Sequence, residues 1–284
     1  MVPRVSLDTN VLDLACRPER FPKDPRQPHL HKVKAALAAG TIQGFCSVTM
    51  LTIEGIMRKD RAEVFASTQT KMQPETHSLT KNADLSHAIR AVVGDADVET
   101  IGMNLTVEQP ARKPLHNEVL ARIEAAQAVG VHFLKGVPRV GAYQIHDPEK
   151  KLYLDNGEGD ALGVWIEKAH EVARAIESRG LGFAQVKAIG QAKAAGDPAK
   201  AWFKALDKAK DVHEERAVER AFSEWADGDA IAAHVAYGLD IFCSADVGNS
   251  SATNSVLAPA NRAWLTATYG VKFMTFDDLL ASLS

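Results

Sequence analysis

The chain has 284 residues and a mass of 30.7 kDa, which predicts two structural units or one domain with a large insertion. Apolar residues make up 46% of the sequence and charged residues 24%, a composition that excludes a disordered chain and a collagen-like one. The formal net charge of −3 argues against a protein that coats nucleic acid by neutralising phosphates, but leaves open a local basic face or a metal-bridged contact.

The first 60 residues predict a strand, a loop, a helix, a second strand and a second helix. A short apolar strand over 5–7 runs directly into an acid, and a proline-rich loop follows it. A helix is predicted over 31–39 and a strand over 41–46. Ser47 is a good N-cap for a helix that runs from 48 to about 66.

The region 61–224 has a different character and is predicted to be a mainly helical insertion or subdomain. It contains a candidate strand over 131–134 and a candidate hairpin over 143–154. Asp197, which precedes a proline, is predicted to open a helix that presents Trp202 and later apolar residues to a core.

The last section returns to alternating elements. A helix over 229–237, a strand over 240–243 and a helix near 259–269 are followed by a strand over 271–274 and a helix over 276–283. This order predicts an α/β fold with a central parallel sheet that helices cover on both faces. In such sheets the carboxyl ends of the strands lie along one edge, where ligands bind.

The remaining composition points to a cytoplasmic protein that does not enter a membrane. No apolar run reaches the ~18 residues that a membrane span needs, and the N-terminus has no signal-peptide pattern. The three cysteines form no CxxC pair, so they are predicted to be small core residues in a reducing compartment rather than disulfide or zinc ligands.

Four acids stand where the predicted sheet would bring them together. Asp8 and Asp246 follow strands, Asp229 begins the helix that leads to the second of these strands, and Glu54 lies about two turns into the helix after Ser47. Carboxylates that meet at one edge repel each other unless a cation joins them, and Mg²⁺ or Mn²⁺ prefers carboxylate oxygens. One or two such ions promote phosphodiester hydrolysis.

Each acid also has an ordinary structural interpretation. Asp8 fits a turn or helix cap, Glu54 a surface helix position, Asp229 an N-cap and Asp246 a loop. Asp227 is an alternative to Asp229, which we prefer because an apolar helix follows it directly.

The motifs around these acids resemble those of the PIN-domain family. Residues 5–12 (VSLDTNVL) look like the opening strand and DTN signature, and residues 47–54 (SVTMLTIE) are similar to the second motif. Residues 229–236 (DAIAAHVA) resemble the third motif and residues 241–246 (IFCSAD) the fourth. The resemblance covers roughly 1–60 and 225–284, and it implies a discontinuous three-layer α/β/α PIN-like nuclease domain interrupted by 61–224.

The resemblance also implies a site and its partners. The four acids would be the catalytic, metal-binding residues, Asn10 would orient Asp8 or the loop, and Ser244 would donate its hydroxyl to a carboxylate or a substrate phosphate. The cofactor would be Mg²⁺ or Mn²⁺ and the substrate RNA. A homodimer and an inhibitory antitoxin protein are the partners that such proteins have.

Some features depart from the family pattern. The insertion is far longer than in small members, and Asn249 stands where the family often has a further acid, which bears on a second metal site. His234, on the third motif, is interpreted as a core or groove histidine rather than a ligand.

Three functions remain open from the sequence. The favoured one is a metal-dependent endoribonuclease, with a toxin as one form of it. The first alternative is a PIN-like RNA-binding or scaffold module that does not cut. The second is a phosphohydrolase of small substrates, which would need an acid at position 10, where the chain has Asn10.

Overall fold

The computed structural model describes residues 2–139, 141–155, 160–195, 201–207, 211–246 and 254–283. The strands among them are β1 (Arg4–Leu7), β2 (Gln43–Ser47), β3 (Gln69–Thr80), β4 (Val98–Glu108), β5 (His132–Leu134), β6 (Ile241–Cys243) and β7 (Lys272–Met274). The α-helices are α1 (Thr9–Cys16), α2 (Gln27–Ala38), α3 (Val48–Glu54), α4 (Arg61–Ala66), α5 (His87–Val93), α6 (Asn117–Ala128), α7 (Asp160–Ser178), α8 (Phe183–Ala194), α9 (Val212–Ala236), α10 (Pro259–Tyr269) and α11 (Phe276–Ser282).

Five strands form a parallel sheet in the order β5-β2-β1-β6-β7, as the alternating elements predict. The central strand β1 is short and buried, with Val5 and Leu7 on one face and Ser6 on the other. Leu7 pairs with Cys243 in β6. The residues that follow these two, Asp8 and Ser244, therefore leave the sheet side by side at its carboxyl edge.

Helices cover both faces of the sheet, which gives three layers. On one face Val11 of α1, Leu30 of α2, Ile123 of α6 and Leu279 of α11 pack into one apolar core. A second core holds Val172 of α7, Val186 of α8, Ile231 of α9 and Leu265 of α10, together with Phe242 of β6. The α/β class and the covered parallel sheet are confirmed.

The region 61–224 differs from the predicted mainly helical insertion in two ways. Strand β5 forms close to its predicted position, but it pairs with β2 at the edge of the main sheet because Phe133 and Leu134 are buried there. Helix α6 likewise belongs to the layer on the main sheet. The second difference is an antiparallel two-stranded ribbon, β3 and β4, with a register shift between Pro74 and Thr76.

Helix boundaries also differ from the sequence predictions. Helix α3 ends at Glu54 rather than near 66, and Ser47 occupies its N-cap position without a side-chain capping hydrogen bond. Helix α9 begins at Val212 and continues through Gly228, so Asp229 lies inside a helix rather than at its start. The glycine there permits a close approach, since a Cβ at Gly228 would stand 3.3 Å from the Cα of Gly182.

The hairpin predicted over 143–154 is absent from the part of the chain that the structure describes there. Asp147 instead accepts hydrogen bonds from the backbone of Lys151 and Leu152, which closes a turn, and Tyr153 forms a single parallel bridge to Phe133. Asp197, predicted to cap a helix, lies outside the described residues, and the later residues Trp202–Ala205 form a 3-10 helix.

Cys16, Cys46 and Cys243 are free thiols buried in the protein, as predicted. A search of the described helices found none with both the length and the apolar character that crossing a membrane requires.

Candidate functional site

Asp8 stands at the carboxyl end of β1, at the N-cap position of α1, and is 4% exposed. Its Oδ2 accepts hydrogen bonds from the Ser244 hydroxyl at 2.6 Å and from Asn10 Nδ2 at 2.9 Å. Burial raises the pKa of Asp8 above its ordinary value, although the hydrogen bonds from Ser244 and Thr9 act in the opposite direction. The carboxylate is thus held in one orientation at the sheet edge.

Asn10 and Ser244 connect the ends of the two central strands. Besides its contact with Asp8, Asn10 accepts a hydrogen bond from the backbone N–H of Ala245 at 3.0 Å. Ser244 Oγ accepts one from the backbone N–H of Asp246 at 2.9 Å. Both side chains therefore lie against Asp8, in contact with its carboxylate and with the loop that carries Asp246.

Thr9 joins Asp8 to Glu54. Its hydroxyl donates to Glu54 Oε1 at 2.5 Å and stands 3.3 Å from Asp8 Oδ1. Two carboxylates thus lie within hydrogen-bonding reach of one hydroxyl. Burial raises the pKa of Glu54, and the nearby Asp8 charge adds to this, whereas the Thr9 hydrogen bond lowers it. Glu54, the last residue of α3, therefore lies close to Asp8.

Asp227, rather than Asp229, faces these acids. Side chains two positions apart on an α-helix point about 200° apart around its axis. Asp227 and Asp229 therefore leave α9 on nearly opposite sides. Burial, and after it the charges of Asp8, Glu224, Asp246 and Glu54, raises the pKa of Asp227 well above its ordinary value. No hydrogen bond or ion pair holds this carboxylate within the described part of the chain.

Asp229 faces the helical layer and is 2% exposed. Its Oδ1 pairs with Arg139 Nη2 at 3.1 Å, and its Oδ2 accepts a hydrogen bond from Trp225 Nε1 at 3.0 Å. Burial raises the pKa of Asp229 to about 6, against the effect of Arg139. The structure therefore does not bring Asp229 together with Asp8, and the preference for it over Asp227 has no geometric support.

Asp246 follows β6 and is exposed. Its charge contributes to the raised pKa of both Asp227 and Glu224, which indicates that it faces the same region as Asp8. The Glu224 Oε2 atom accepts a hydrogen bond from the backbone N–H of Val256 at 2.7 Å. Asn249, three residues beyond Asp246, lies outside the described residues.

Arg122 on α6 brings a positive charge to the edge of this cluster. Its Nε and Nη2 atoms each lie 3.1 Å from an oxygen of Asp13, a paired contact that fixes the guanidinium plane. The third nitrogen, Nη1, stands 3.6 Å from Glu54 Oε2. A fixed cation of this kind is suited to a phosphate group next to the acids.

We define the acidic cluster as Asp8, Glu54, Asp227 and Asp246. All four supply the oxygen ligands that hard divalent cations prefer. Burial raises the pKa of Asp8, Glu54 and Asp227, and repulsion from neighbouring acids adds to this at Glu54 and Asp227. A bound Mg²⁺ or Mn²⁺ would offset that repulsion, so the donor set fits such an ion. In the described residues, however, no three His, Cys, Asp or Glu side chains already stand in an arrangement that could hold a metal ion.

Sequence reasoning missed Thr9, Glu224 and Arg122. Thr9 is the middle residue of the DTN signature, and Glu224 lies three residues before Asp227 on the same helix face, so both had a local signal. Arg122 had none, because it reaches the cluster only through the packing of α6. His234 is 1% exposed and its Nδ1 lies 2.8 Å from Ser6 Oγ, in agreement with the interpretation of a core histidine.

Comparisons of this chain with models of known protein families, with curated proteins and with solved structures found no match. The likeness to PIN domains therefore rests on the four motifs alone.

Proposed function

We propose that this protein is a divalent-metal-dependent endonuclease that hydrolyses phosphodiester bonds in RNA. The observation that carries the proposal is the meeting of separate carboxylates at the carboxyl edge of the parallel sheet, where no hydrogen bond to Asp227 is found among the residues that the structure describes. Asp8, Glu54, Asp227 and Asp246 would hold the ion, with Asp227 in place of Asp229. When bound, Mg²⁺ or Mn²⁺ would activate water and stabilise the leaving oxygen.

The protein's own residues have distinct tasks in this proposal. Asn10 and Ser244 join the Asp8 carboxylate to the loop after β6 by hydrogen bonds, which fixes the position of Asp8 relative to the segment that carries Asp246. Thr9 orients Glu54 by its short hydrogen bond. Arg122 presents a fixed cation to a substrate phosphate beside Glu54. No side chain has to act as a nucleophile.

The experiment is cleavage of a labelled single-stranded RNA by the purified full chain, with Mn²⁺, with Mg²⁺ and with EDTA. We expect cutting with either ion and none with EDTA. Asp8→Asn should abolish cleavage while leaving the unfolding transition in place, since the amide retains the shape of the carboxylate. Asp277→Asn is the matched control, because Asp277 is 69% exposed and lies on α11, outside the acidic cluster.

Two results would contradict the proposal. Undiminished cleavage by Asp8→Asn would mean that the acidic cluster is not where the bond is cut. RNA binding without cleavage under any metal condition would instead favour the non-cutting RNA-binding module.

A further inference from the structure

A cleft of about 690 Å³ lies between the segment that follows β4 and the loop that follows β5. Its lining includes Gln109, Arg112 and Lys113 on the first segment and Tyr143 on the second. The Lys113 side chain is 81% exposed and Tyr143 is 38% exposed, so solvent reaches both. Small-molecule sites in proteins have volumes of ~300–1,000 Å³, so the cleft is large enough for one nucleotide.

An arginine stacked on a tyrosine forms part of the cleft wall. The central carbon of the Arg112 guanidinium lies 3.5 Å from the centre of the Tyr143 ring. Arg112 Nη1 donates to Gln109 Oε1 at 3.1 Å, and Nη2 donates to the Thr52 carbonyl oxygen at 2.9 Å. These contacts fix the guanidinium in one orientation before any ligand is bound.

The charge of Arg112 is not balanced by an acid. Within the stretches of chain that the structure describes, no carboxylate forms an ion pair with it, and Glu108 in the cleft lining is paired with Lys71 at 2.7 Å. Burial lowers the pKa of Arg112 to about 10, so the guanidinium is still positive at pH 7. A cation withdrawn from water without a partner costs free energy, which a bound phosphate would offset.

The cleft lies next to the acidic cluster. Thr52, whose carbonyl binds Arg112, stands two residues before Glu54 in α3. At a rise of 1.5 Å per residue these two positions are about 3 Å apart along the helix axis. A strand whose phosphodiester reaches the acids would therefore pass the mouth of the cleft.

We propose that this cleft binds a nucleotide of the RNA substrate beside the bond that is cut, with the base stacked on Tyr143 and a phosphate held by Arg112 and Lys113. Aromatic rings that stack bases, together with basic groups along the backbone, bind single strands with little preference for sequence. The inference rests on the proposed nuclease function, because the chemistry of the cleft would also suit a free mononucleotide. These three side chains position the strand and take no part in breaking the bond.

Fluorescence anisotropy of a labelled single-stranded RNA in EDTA measures this binding without cleavage. Tyr143→Ala should bind the RNA about tenfold more weakly, whereas Tyr143→Phe keeps the ring and should bind it as the unmodified chain does. Lys113→Gln should reduce the slope of log K against log salt by about 0.7, the value for one phosphate contact on a single strand. Its pair with Asp60, at 3.5 Å on the surface, is too weak for its loss to unfold the chain.

A second tyrosine and lysine provide the matched controls. Lys168 on α7 lies 5.4 Å from the ring centre of Tyr269 on α10, and both are outside the set of residues that line the cleft. Tyr269→Ala and Lys168→Gln should leave RNA binding unchanged. Circular dichroism of each variant checks the fold, and Lys113→Gln carries the test if Tyr143→Ala does not fold.

A cleavage assay and a competitor separate the possible outcomes. In Mn²⁺, Tyr143→Ala should raise KM about tenfold and leave kcat unchanged, since the cleft binds the strand without taking part in the chemistry. AMP should compete with the RNA only weakly. Equally tight binding of AMP would identify a free nucleotide as the ligand and overturn the assignment to the substrate strand.

The proposal is also overturned if the unmodified chain does not bind the RNA in EDTA, or if Tyr143→Ala and Lys113→Gln bind it as the unmodified chain does. Failure of the proposed nuclease function gives a different result. RNA binding that depends on Tyr143, with no cleavage under any metal condition, would support the cleft as an RNA site and contradict the nuclease.

Discussion

Replacing His234 by Asn should remove a large part of the acid sensitivity of the fold. His234 lies inside α9 and is 1% exposed, with its ring edge-on to Phe242 and Nδ1 at 2.8 Å from Ser6 Oγ. Burial lowers its pKa to about 4, and Arg4 also lowers it, whereas Asp240 raises it. Between pH 4 and 6.5 the imidazole is therefore neutral in the folded protein but protonated in the unfolded chain, where its pKa is 6.5.

The magnitude follows from linkage. A folded pKa below the unfolded one means that the unfolded state binds the proton first, so the stabilisation is complete above pH 6.5 and is lost as the pH falls toward 4. The shift of about 2.5 pH units, at ~1.4 kcal/mol each, corresponds to roughly 3 kcal/mol of unfolding free energy. Asparagine places a polar atom near the position of Nδ1, so it can keep the contact with Ser6 without titrating.

Urea unfolding followed by tryptophan fluorescence at pH 7, 6, 5 and 4 measures the effect. The free energy of unfolding of the unmodified chain should fall by about 3 kcal/mol more than that of His234→Asn over this range. His29→Asn on the exposed side of α2 is the control and should follow the unmodified chain. Parallel pH curves for the unmodified chain and His234→Asn would refute the reasoning.

Three further predictions concern the site and the helical layer. In EDTA at pH 7, Asp227→Asn should raise the free energy of unfolding by about 1 kcal/mol in urea titration, because the amide avoids the cost of burying a carboxyl group next to other acids. A decrease would contradict this. Asn10→Ala should cost about 1 kcal/mol in the same assay and slow RNA cleavage without weakening RNA binding, since it frees the orientation of Asp8; unchanged turnover would count against that role. Gly190→Ala should lower the free energy of unfolding by about 1–3 kcal/mol, because the added Cβ would stand 2.6 Å from Trp202 Cε3 and 2.7 Å from the Trp202 carbonyl oxygen. An unfolding free energy equal to that of the unmodified chain would contradict the close packing.

The sheet and its edge were predictable because their signals are local. Short apolar strands followed directly by polar residues occur at Asp8 and at Ser244, and parallel strands must end at the same edge. That both residues lie at this edge follows from the rule, whereas the position of β6 directly beside β1 is known only from the structure.

The choice between Asp227 and Asp229 depended on the phase of a helix. Once α9 is known to run without a break from Val212, its buried stripe passes through Phe222, Trp225 and Asp229 at spacings of three and four. Asp227 falls off that stripe, toward the sheet edge. The Asp-Gly-Asp sequence was interpreted as a helix start. In the structure Gly228 instead lies inside α9, where it packs closely on Gly182, and the sequence of α9 alone does not reveal that contact.

The ribbon and Arg122 depended on contacts between distant segments. Strand β3 pairs with β4 across an intervening helix, so no tight-turn signal joins the two strands. Arg122 reaches Glu54 only because α6 packs against α1, where Asp13 holds its guanidinium. Neither arrangement leaves a pattern in the residues nearby.

Titration of the purified chain with Mn²⁺, with the free ion followed by electron paramagnetic resonance, tests most directly whether carboxylates at the sheet edge trap a hard cation. Binding by the unmodified chain, its loss in Asp227→Asn and its retention in folded Asp229→Asn is the outcome predicted. Failure of the unmodified chain to bind Mn²⁺, or loss in Asp229→Asn with retention in Asp227→Asn, would contradict the account.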